Sequence, residues 1–206
     1  MAFFVIVMRG VAVVETKAVV NVQHKVTEPH RVKLRVEDYL RLSKAGAFAD
    51  YAKTELIEGE IIGVNAQYSR HARAQRAMFL ALHEACVALG LECVFELSVT
   101  VDPHNEPRPD ILIANSLPDR GPIPIADLVL IAEIADNSLD TDLKLKAPLY
   151  ARAGLPEYWV IDAESRVIHQ MWAPADEAYG ERREVTFGEV LEAGTIAGLK
   201  VETGRL

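Results

Sequence analysis

Two acidic side chains near the middle of the chain lie inside apolar segments, where a charge is costly. Asp110 follows Pro109 and precedes "ILIA", and Glu133 lies near the end of the apolar run "LVLIAEIA". A buried carboxylate without a partner costs several kcal/mol, so each acid needs a hydrogen-bond donor or a cation nearby. If the two segments are neighbouring strands, Asp110 and Glu133 approach each other. Such a pair either shares a proton or holds a divalent cation such as Mg²⁺ or Mn²⁺.

A lysine on the following segment is the third candidate for chemistry. Asp142, Lys146 and Tyr150 are spaced four residues apart, which puts them on one face of the segment if it is helical. An Asp–Lys pair at this spacing is equally often a solvated surface pair that contributes a few tenths of a kcal/mol. Pro148 restricts this segment, because proline fits only the first turn of a helix or a kink.

The elements around these residues predict an α/β (α+β) domain with a mixed central sheet flanked by helices. Apolar residues at helical spacing from Ser69 to Gly90 predict an amphipathic helix, and the apolar run 128–135 predicts a central strand covered on both faces. The middle of the chain then has the order helix, strand, strand, strand, helix, strand. The other predicted elements are a short helix in "RVEDYLRLSKAGAF", a hairpin in "TELIEGEIIGV", strands in "LECVFELSVTVD", "RPDILIA", "REVTF" and "LKVET", a helix within "DNSLDTDLKLKAPLYARAG", and a hairpin formed by "EYWVIDA" and "RVIHQMWAP".

The length of 206 residues suits one ordinary domain with a sizeable core. We predict a single domain over residues 26–206, preceded by an N-terminal extension over residues 1–25. Alternation such as "AVVNVQHKV" in the extension fits an added edge strand, a dimerisation arm or a start codon assigned too early. Its apolar runs are far shorter than the roughly 20 residues needed to cross a bilayer, so no membrane partner is predicted.

The net charge and the two cysteines limit the kinds of partner and of structural site that we expect. A formal net charge of −8 repels a polyanion at long range, so a nucleic-acid partner requires a local basic patch. The two cysteines, Cys86 and Cys93, lack the spacing of a zinc site or a disulfide framework. We expect both thiols to be reduced and buried. We predict a cytoplasmic protein, because the apolar opening segment lacks both a preceding basic region and the length needed to cross a bilayer.

Three stretches of the chain resemble one protein family. They are Pro109–Asp110, the segment 133–162 ("EIADNSLDTDLKLKAPLYARAGLPEYWVID"), and "TELIEGEII" followed by "SRHAR". Over roughly residues 33–200 the chain resembles the Uma-type restriction endonucleases, a large bacterial family formerly labelled a domain of unknown function. That family belongs to the PD-(D/E)XK nuclease superfamily. The resemblance implies a restriction-endonuclease-like core of helix, three strands, helix and strand, which agrees with the order predicted above.

The resemblance also implies a catalytic set. Asp110 and Glu133 would bind Mg²⁺ or Mn²⁺, and Lys146 would be the catalytic lysine. The lysine of the superfamily normally lies two residues after the second acid, where this chain has Ala135. Lys146 matches the family pattern on the next helix, and Lys144 is the competing candidate. The implied reaction is hydrolysis of a phosphodiester, in which Lys146 orients the attacking water or neutralises developing charge.

Several further residues are accessory candidates. The resemblance makes Glu58 an additional acid, although a turn residue needs no function. Asp142 would hold Lys146 in place or cap the helix. A cationic cluster at the start of the long helix suits phosphate, although it is equally typical of a solvated helix start. Its members are Arg70, His71, Arg73 and Arg76.

The remaining polar and aromatic candidates are weaker. Glu96 is a secondary acid candidate that faces either the site or solvent. His104 and His169 have no partner at a functional spacing, so we expect structural or exposed roles for them. Tyr158 and Trp159 lie inside a predicted strand, which favours the core over a base-stacking role.

Two functional hypotheses follow from the residues and the resemblance. The first is a Mg²⁺-dependent endodeoxyribonuclease that acts on DNA as a homodimer, because cleavage of a duplex needs one site for each strand. The second is a non-catalytic nuclease-fold module for binding or scaffolding. The acidic net charge favours the second hypothesis, and the retained acids and lysine favour the first.

Overall fold

The structure is a computed structural model, and it describes residues 31–64 and 69–206. The predicted N-terminal extension, residues 1–25, lies outside the described residues. The division of the chain into an extension and a domain over residues 26–206 therefore stays a prediction. No helix within residues 31–64 and 69–206 is long and apolar enough to cross a membrane.

The secondary structure follows the predicted order through the middle of the chain. In chain order the elements are α1 (Val36–Lys44), β1 (Lys53–Ile57), β2 (Glu60–Val64), α2 (Ser69–Leu89), β3 (Glu92–Phe95), β4 (Val99–Thr100), β5 (Ile111–Ala114), β6 (Ile123–Pro124), β7 (Leu128–Ala135), α3 (Leu139–Thr141), a π-helical turn (Asp142–Lys146), α4 (Ala147–Arg152), β8 (Glu157–Asp162), β9 (Val167–Ala175), β10 (Ala178–Thr186), β11 (Val190–Glu192) and β12 (Lys200–Glu202).

A six-stranded mixed sheet lies at the centre of this arrangement, in the strand order β10-β9-β8-β7-β5-β3. β7 and β8 run parallel, whereas the other neighbouring strands of this sheet run antiparallel. The parallel pair is joined by the helical segment 139–152, as a crossover between parallel strands requires. The predicted α/β class, with a mixed central sheet flanked by helices, is confirmed.

The two faces of the sheet bury different helices. On β5 and β7, residues such as Ile111 and Ala132 pack against α2 on one face. The alternate residues, such as Leu112 and Ile131, pack against α4 on the other face. Because side chains alternate along a strand, Glu133 projects from the same face as Ile131 and so toward α4.

One predicted element is wrong. The segment "LECVFELSVTVD" does not form one strand, because the chain turns at Glu96, which has a left-handed φ of 53°. The turn separates β3 from β4, and β4 leaves the central sheet to pair with β6. The Glu96 N–H donates to the carbonyl of Asp110 at 3.2 Å, and Arg108 Nε donates to the Glu96 carbonyl at 2.7 Å. The alternation that predicted a continuous strand is interrupted by this local network.

The other sequence predictions are confirmed, with small changes of length. α1, the β1–β2 hairpin, α2 and the β8–β9 hairpin occur where they were predicted. The "REVTF" strand is longer than predicted, because it lies in the nine-residue strand β10. Tyr158 and Trp159 are fully buried in the core. His104 Nδ1 contacts the Leu34 carbonyl at 2.8 Å, and His169 pairs with Glu184 on the neighbouring strand.

Candidate active site

The pairing of β5 with β7 brings Asp110 and Glu133 together. The antiparallel register pairs Ile111 with Ala132, so Asp110 and Glu133 occupy the next pair of opposite positions along the two strands. The Asp110 N–H donates to Glu133 Oε2 at 3.3 Å, and the Ile134 N–H donates to Asp110 Oδ2 at 2.8 Å. Both carboxyl groups are buried, with 4% of Asp110 and 2% of Glu133 exposed. The strand ladder therefore fixes two buried acids side by side.

Lys146 reaches this pair from the helical segment between β7 and β8. Its Nζ donates to Glu133 Oε1 at 2.9 Å and lies 3.6 Å from Asp142 Oδ1. Asp142 also accepts a hydrogen bond from Ser138 Oγ at 2.6 Å. Tyr150, one turn further along, donates its hydroxyl to Glu133 Oε1 at 3.5 Å. The structure thus places Asp142, Lys146 and Tyr150 on one face, directed at Glu133.

The competing lysine lies elsewhere. Lys144 leaves 73% of its side chain exposed and pairs with Asp140 at 2.8 Å. Pro148 lies in the first turn of α4, immediately after the π-helical turn. A proline lacks the N–H that an α-helix would use, and the wider π-helical turn before it accommodates that loss. This local geometry directs Lys146 inward and Lys144 toward solvent.

Asp110, Glu133, Asp142 and Lys146 form a buried cluster of charged side chains. Glu55 also belongs to this cluster, and the sequence predictions missed it. It lies in β1, is 2% exposed, and its Oε2 is 3.1 Å from Lys146 Nζ. Its Oε1 accepts a hydrogen bond from the Arg108 N–H at 2.8 Å. The available signal was the one that identified the other two acids, an acidic residue within a short apolar strand ("TELI").

Glu58, the acid predicted nearby, is not brought to the cluster. It occupies the β1–β2 turn with a left-handed φ of 50°, is partly exposed, and pairs with Arg152. Its backbone N–H donates to the Asn105 side chain at 2.6 Å. The structure therefore places Glu58 in a surface contact, and Glu55 takes the inward position.

His71 and Lys53 complete the cluster from two other elements. His71, in the first turn of α2, places Nε2 at 3.2 Å from Asp110 Oδ2, and its buried Nδ1 has no hydrogen-bond partner among the described residues. Lys53, at the start of β1, has Nζ 3.6 Å from Glu55 Oε1 and 3.8 Å from Asp110 Oδ1. Four elements besides β5 and β7 thus contribute to the cluster: β1, α2, the π-helical turn and α4.

The cluster shifts the pKa values of its members. Burial raises the pKa of Glu133 to about 8, Lys146 opposes the rise, and the neighbouring carboxylates add to it. Burial alone would lower the pKa of Lys146, but the carboxylates around it, Glu133 first, raise that pKa well above its ordinary value. Burial also raises the pKa of Asp110, but His71 and Lys53 outweigh burial and bring that pKa below its ordinary value. The carboxylates thus favour the charged form of Lys146, whereas burial favours the protonated form of Glu133.

The donor set of the cluster fits a divalent cation. Among the described residues it contains four buried carboxyl groups and two lysines, so the fully ionised acids exceed the ammonium groups by two charges before any proton on His71 is counted. Hard oxygen ligands suit Mg²⁺ and Mn²⁺. Within the described part of the chain, no three His, Cys, Asp or Glu side chains are already grouped around one metal position. Mg²⁺ keeps several waters and commonly binds through one or two carboxylates, which the pair Asp110 and Glu133 supplies.

Glu157 shows what a buried acid looks like when it needs no cation. Its carboxylate accepts hydrogen bonds from Trp159 Nε1 at 2.6 Å, Gln170 Nε2 at 2.5 Å and the Gly194 N–H at 3.0 Å. The Thr195 N–H and hydroxyl also donate to it, each at 2.8 Å. Neutral hydrogen-bond donors of the protein therefore satisfy the Glu157 carboxylate, whereas Glu133 is paired with the ammonium group of Lys146.

The predicted arginines lie on the outer face of α2. Arg73 and Arg76 are exposed, and Arg70 forms an ion pair with Asp136, just after β7. His71, on the same first turn, faces Asp110. The start of α2 thus presents basic side chains outward beside the cluster it helps to form.

Comparisons with known proteins identify the family and the fold. The family model Uma2, described as "Putative restriction endonuclease", matches residues 36–203. The fold is similar to the crystal structure of a putative nuclease belonging to DUF820 from Anabaena variabilis ATCC 29413. That match has a TM-score of 0.64 and 16% sequence identity, and covers 84% of this chain and 96% of that chain. The comparison with curated proteins found no match.

Proposed function

This chain belongs to the Uma2 family described as "Putative restriction endonuclease", and from that premise we propose that it is a metal-dependent endonuclease that hydrolyses phosphodiester bonds in DNA. The observation that carries the proposal is the meeting of Asp110, Glu133 and Lys146 at one buried point, with Lys146 Nζ 2.9 Å from Glu133 Oε1 and the Asp110 N–H 3.3 Å from Glu133 Oε2.

Asp110 and Glu133 would hold Mg²⁺ or Mn²⁺ in this proposal. When bound, such an ion polarises a phosphoryl oxygen and makes water a better nucleophile. Binding requires both carboxylates to be ionised, so Glu133 gives up the proton that the cluster otherwise holds. His71 and the Ile134 N–H fix one oxygen of Asp110, which leaves Oδ1 turned toward Lys53 and available for the cation.

Lys146 would supply a positive charge to the site, because the carboxylates around it raise its pKa. Its ammonium orients the attacking water or neutralises charge that develops on the phosphoryl group. Glu55 and Asp142 are positioning residues, because their carboxylates hold this ammonium at 3.1 and 3.6 Å. Lys146 lies on the helical segment and not on β7 with Glu133. Its ammonium group therefore needs these two carboxylates to keep it next to Glu133.

The substrate surface would include the start of α2. Arg73 and Arg76 are exposed there and supply phosphate contacts that the net charge of −8 does not provide. We further propose that the enzyme acts as a homodimer on duplex DNA, because each strand then meets its own site. Free thiols at Cys86 and Cys93 suit action in the cytoplasm, where cysteines stay reduced.

The net charge of −8 favours one alternative, a non-catalytic nuclease-fold module that binds or scaffolds. Incubation of supercoiled plasmid DNA with the protein and Mg²⁺ or Mn²⁺ separates the two functions. We expect nicked and linear products with the wild type, and none with Asp110→Asn, Glu133→Gln or Lys146→Met.

Lys144→Met is the matched control, because Lys144 lies on the same π-helical turn but its side chain is 73% exposed. It should cleave like the wild type. Cleavage that persists in the three site variants would refute the site, and a wild type that fails to cleave the plasmid with either Mg²⁺ or Mn²⁺ would favour the non-catalytic module.

A further inference from the structure

Lys53 differs from Lys146 in how firmly the acid cluster holds its ammonium group. Lys53 Nζ lies 3.6 Å from Glu55 Oε1 and 3.8 Å from Asp110 Oδ1, which are ion-pair distances beyond hydrogen-bonding range. Lys146 Nζ lies 2.9 Å from Glu133 Oε1 and 3.1 Å from Glu55 Oε2. The Lys53 side chain is 13% exposed, against 7% for Lys146. One lysine of the cluster is therefore fixed, and the other is loosely held at its edge.

The oxygen atom next to Lys53 is the least supported oxygen of Asp110. Oδ2 of Asp110 lies 2.8 Å from the Ile134 N–H and 3.2 Å from His71 Nε2. Oδ1 has Lys53, at 3.8 Å, as its partner within residues 31–64 and 69–206. A divalent cation that approaches Asp110 through Oδ1 would displace a loose ion pair and break no hydrogen bond.

The charge balance also requires the two cations to compete. Without a divalent cation the four acids of the cluster have only Lys146 and Lys53 as lysine partners among the described residues, and Lys53 is the lysine that lies near Asp110. A divalent ion at Asp110 repels an ammonium group on the same oxygen. The lysine side chain is a flexible four-carbon stem with a mobile point charge, and at the start of β1 it has access to solvent.

We propose that Lys53 is an exchangeable cation of this site. It neutralises Asp110 and Glu55 while no divalent ion is bound, leaves Asp110 Oδ1 when one binds, and then contacts a phosphate of the substrate backbone. The phosphate contact rests on the proposed nuclease function, whereas the exchange at Asp110 rests on the distances and charges of the cluster itself.

Titration of Mn²⁺ into the metal-free full chain, followed by calorimetry, tests the exchange. Lys53→Met should bind Mn²⁺ roughly tenfold more tightly than the wild type, because a competing ammonium group is gone. Lys53→Arg, which keeps the charge, should bind Mn²⁺ like the wild type. Lys33→Met removes an exposed lysine that pairs with Glu60 at 3.2 Å in the neighbouring β2, and it should also leave the affinity unchanged.

Equal or weaker Mn²⁺ binding by Lys53→Met would overturn the exchange, as would a wild type that binds no Mn²⁺. Lys53→Gln provides a second uncharged variant if Lys53→Met does not fold. A melting curve of each metal-free variant identifies the variants that do.

Binding of a linear DNA duplex in the presence of Mn²⁺ tests the phosphate contact, with Lys146→Met as the background that prevents cleavage. Adding Lys53→Met should reduce the slope of log affinity against log salt concentration by about one, whereas adding Lys53→Arg should not. An unchanged slope would overturn the contact. If the wild type binds Mn²⁺ but neither binds nor cuts DNA, the nuclease proposal fails, and the Mn²⁺ titration still decides the exchange.

Discussion

Replacement of Glu133 by glutamine should remove a large part of the pH dependence of stability in the metal-free chain. Burial raises the pKa of Glu133 from its ordinary value of 4.5 to about 8, Lys146 opposes the rise, and the carboxylates nearby add to it. The folded chain therefore keeps a proton on Glu133 over a pH range in which the unfolded chain has lost it. Glutamine has the shape of the protonated acid and cannot lose that proton.

The sign follows from proton binding. Between pH 4.5 and about 8 the unfolded state binds fewer protons at this position than the folded state, so the free energy of unfolding falls as the pH rises. The stabilisation is fully present below pH 4.5 and is lost as the pH rises through about 8. At about 1.4 kcal/mol for each pH unit, the loss over the whole range is at most roughly 5 kcal/mol. The pKa of about 8 already includes the attraction of Lys146, and we expect a measured difference of about 2–5 kcal/mol over this pH range.

Urea unfolding in EDTA at about pH 5, 6, 7 and 8 measures this difference. The wild type should lose stability steadily across the series, whereas Glu133→Gln should lose much less and become the more stable protein near pH 8. Glu58→Gln is the matched control, because it makes the same chemical change in a partly exposed turn residue, and it should follow the wild type. Parallel pH curves for the wild type and Glu133→Gln would refute the assignment of a buried, protonated Glu133.

Three shorter predictions concern other parts of the molecule. Glu55→Gln should slow plasmid cleavage by roughly 10- to 100-fold in a single-turnover assay, because Lys146 loses a carboxylate that positions it; an unchanged rate would remove Glu55 from the site. Glu157→Ala should lower the free energy of unfolding by about 3 kcal/mol or more in urea, because its donors are left buried and unpaired, while calorimetry shows unchanged Mn²⁺ affinity. Arg73→Ala and Arg76→Ala should each lower the salt slope of duplex binding by about one, and an unchanged slope in both would place the substrate on another surface.

The sequence predicted the order of the core elements because burial leaves a periodic pattern. The strand at 128–135 and the helix from Ser69 are bounded as predicted, since each has a continuous apolar signal. The predicted strand through Glu96 failed because a single left-handed residue, held by contacts from Asp110 and Arg108, redirects the chain. Such a turn depends on residues distant in sequence, which periodicity does not report.

Part of the candidate site was also predictable, because buried acids leave a recognisable pattern in the sequence. Asp110 and Glu133 were identifiable because an acid in an apolar strand requires a partner. The placement of Lys146 needed the family resemblance, because spacing alone left Lys144 and a solvated surface pair open. Glu55 carried the signal of a buried acid within "TELI", but it lies 91 residues before Lys146 in the chain, and nothing local pairs the two.

The strand ladder that joins Asp110 to Glu133 also sorts the apolar side chains between the two layers of helices. A register shift of one residue between β5 and β7 would move every side chain of one strand to the opposite face of the sheet. Asp110 and Glu133 would then separate, and the apolar side chains of that strand would face the wrong layer of helices. An incorrect register would therefore be destabilised during folding through the loss of hydrophobic burial, independently of substrate binding. Selection for a stable interior and selection for aligned acids act on one and the same alignment.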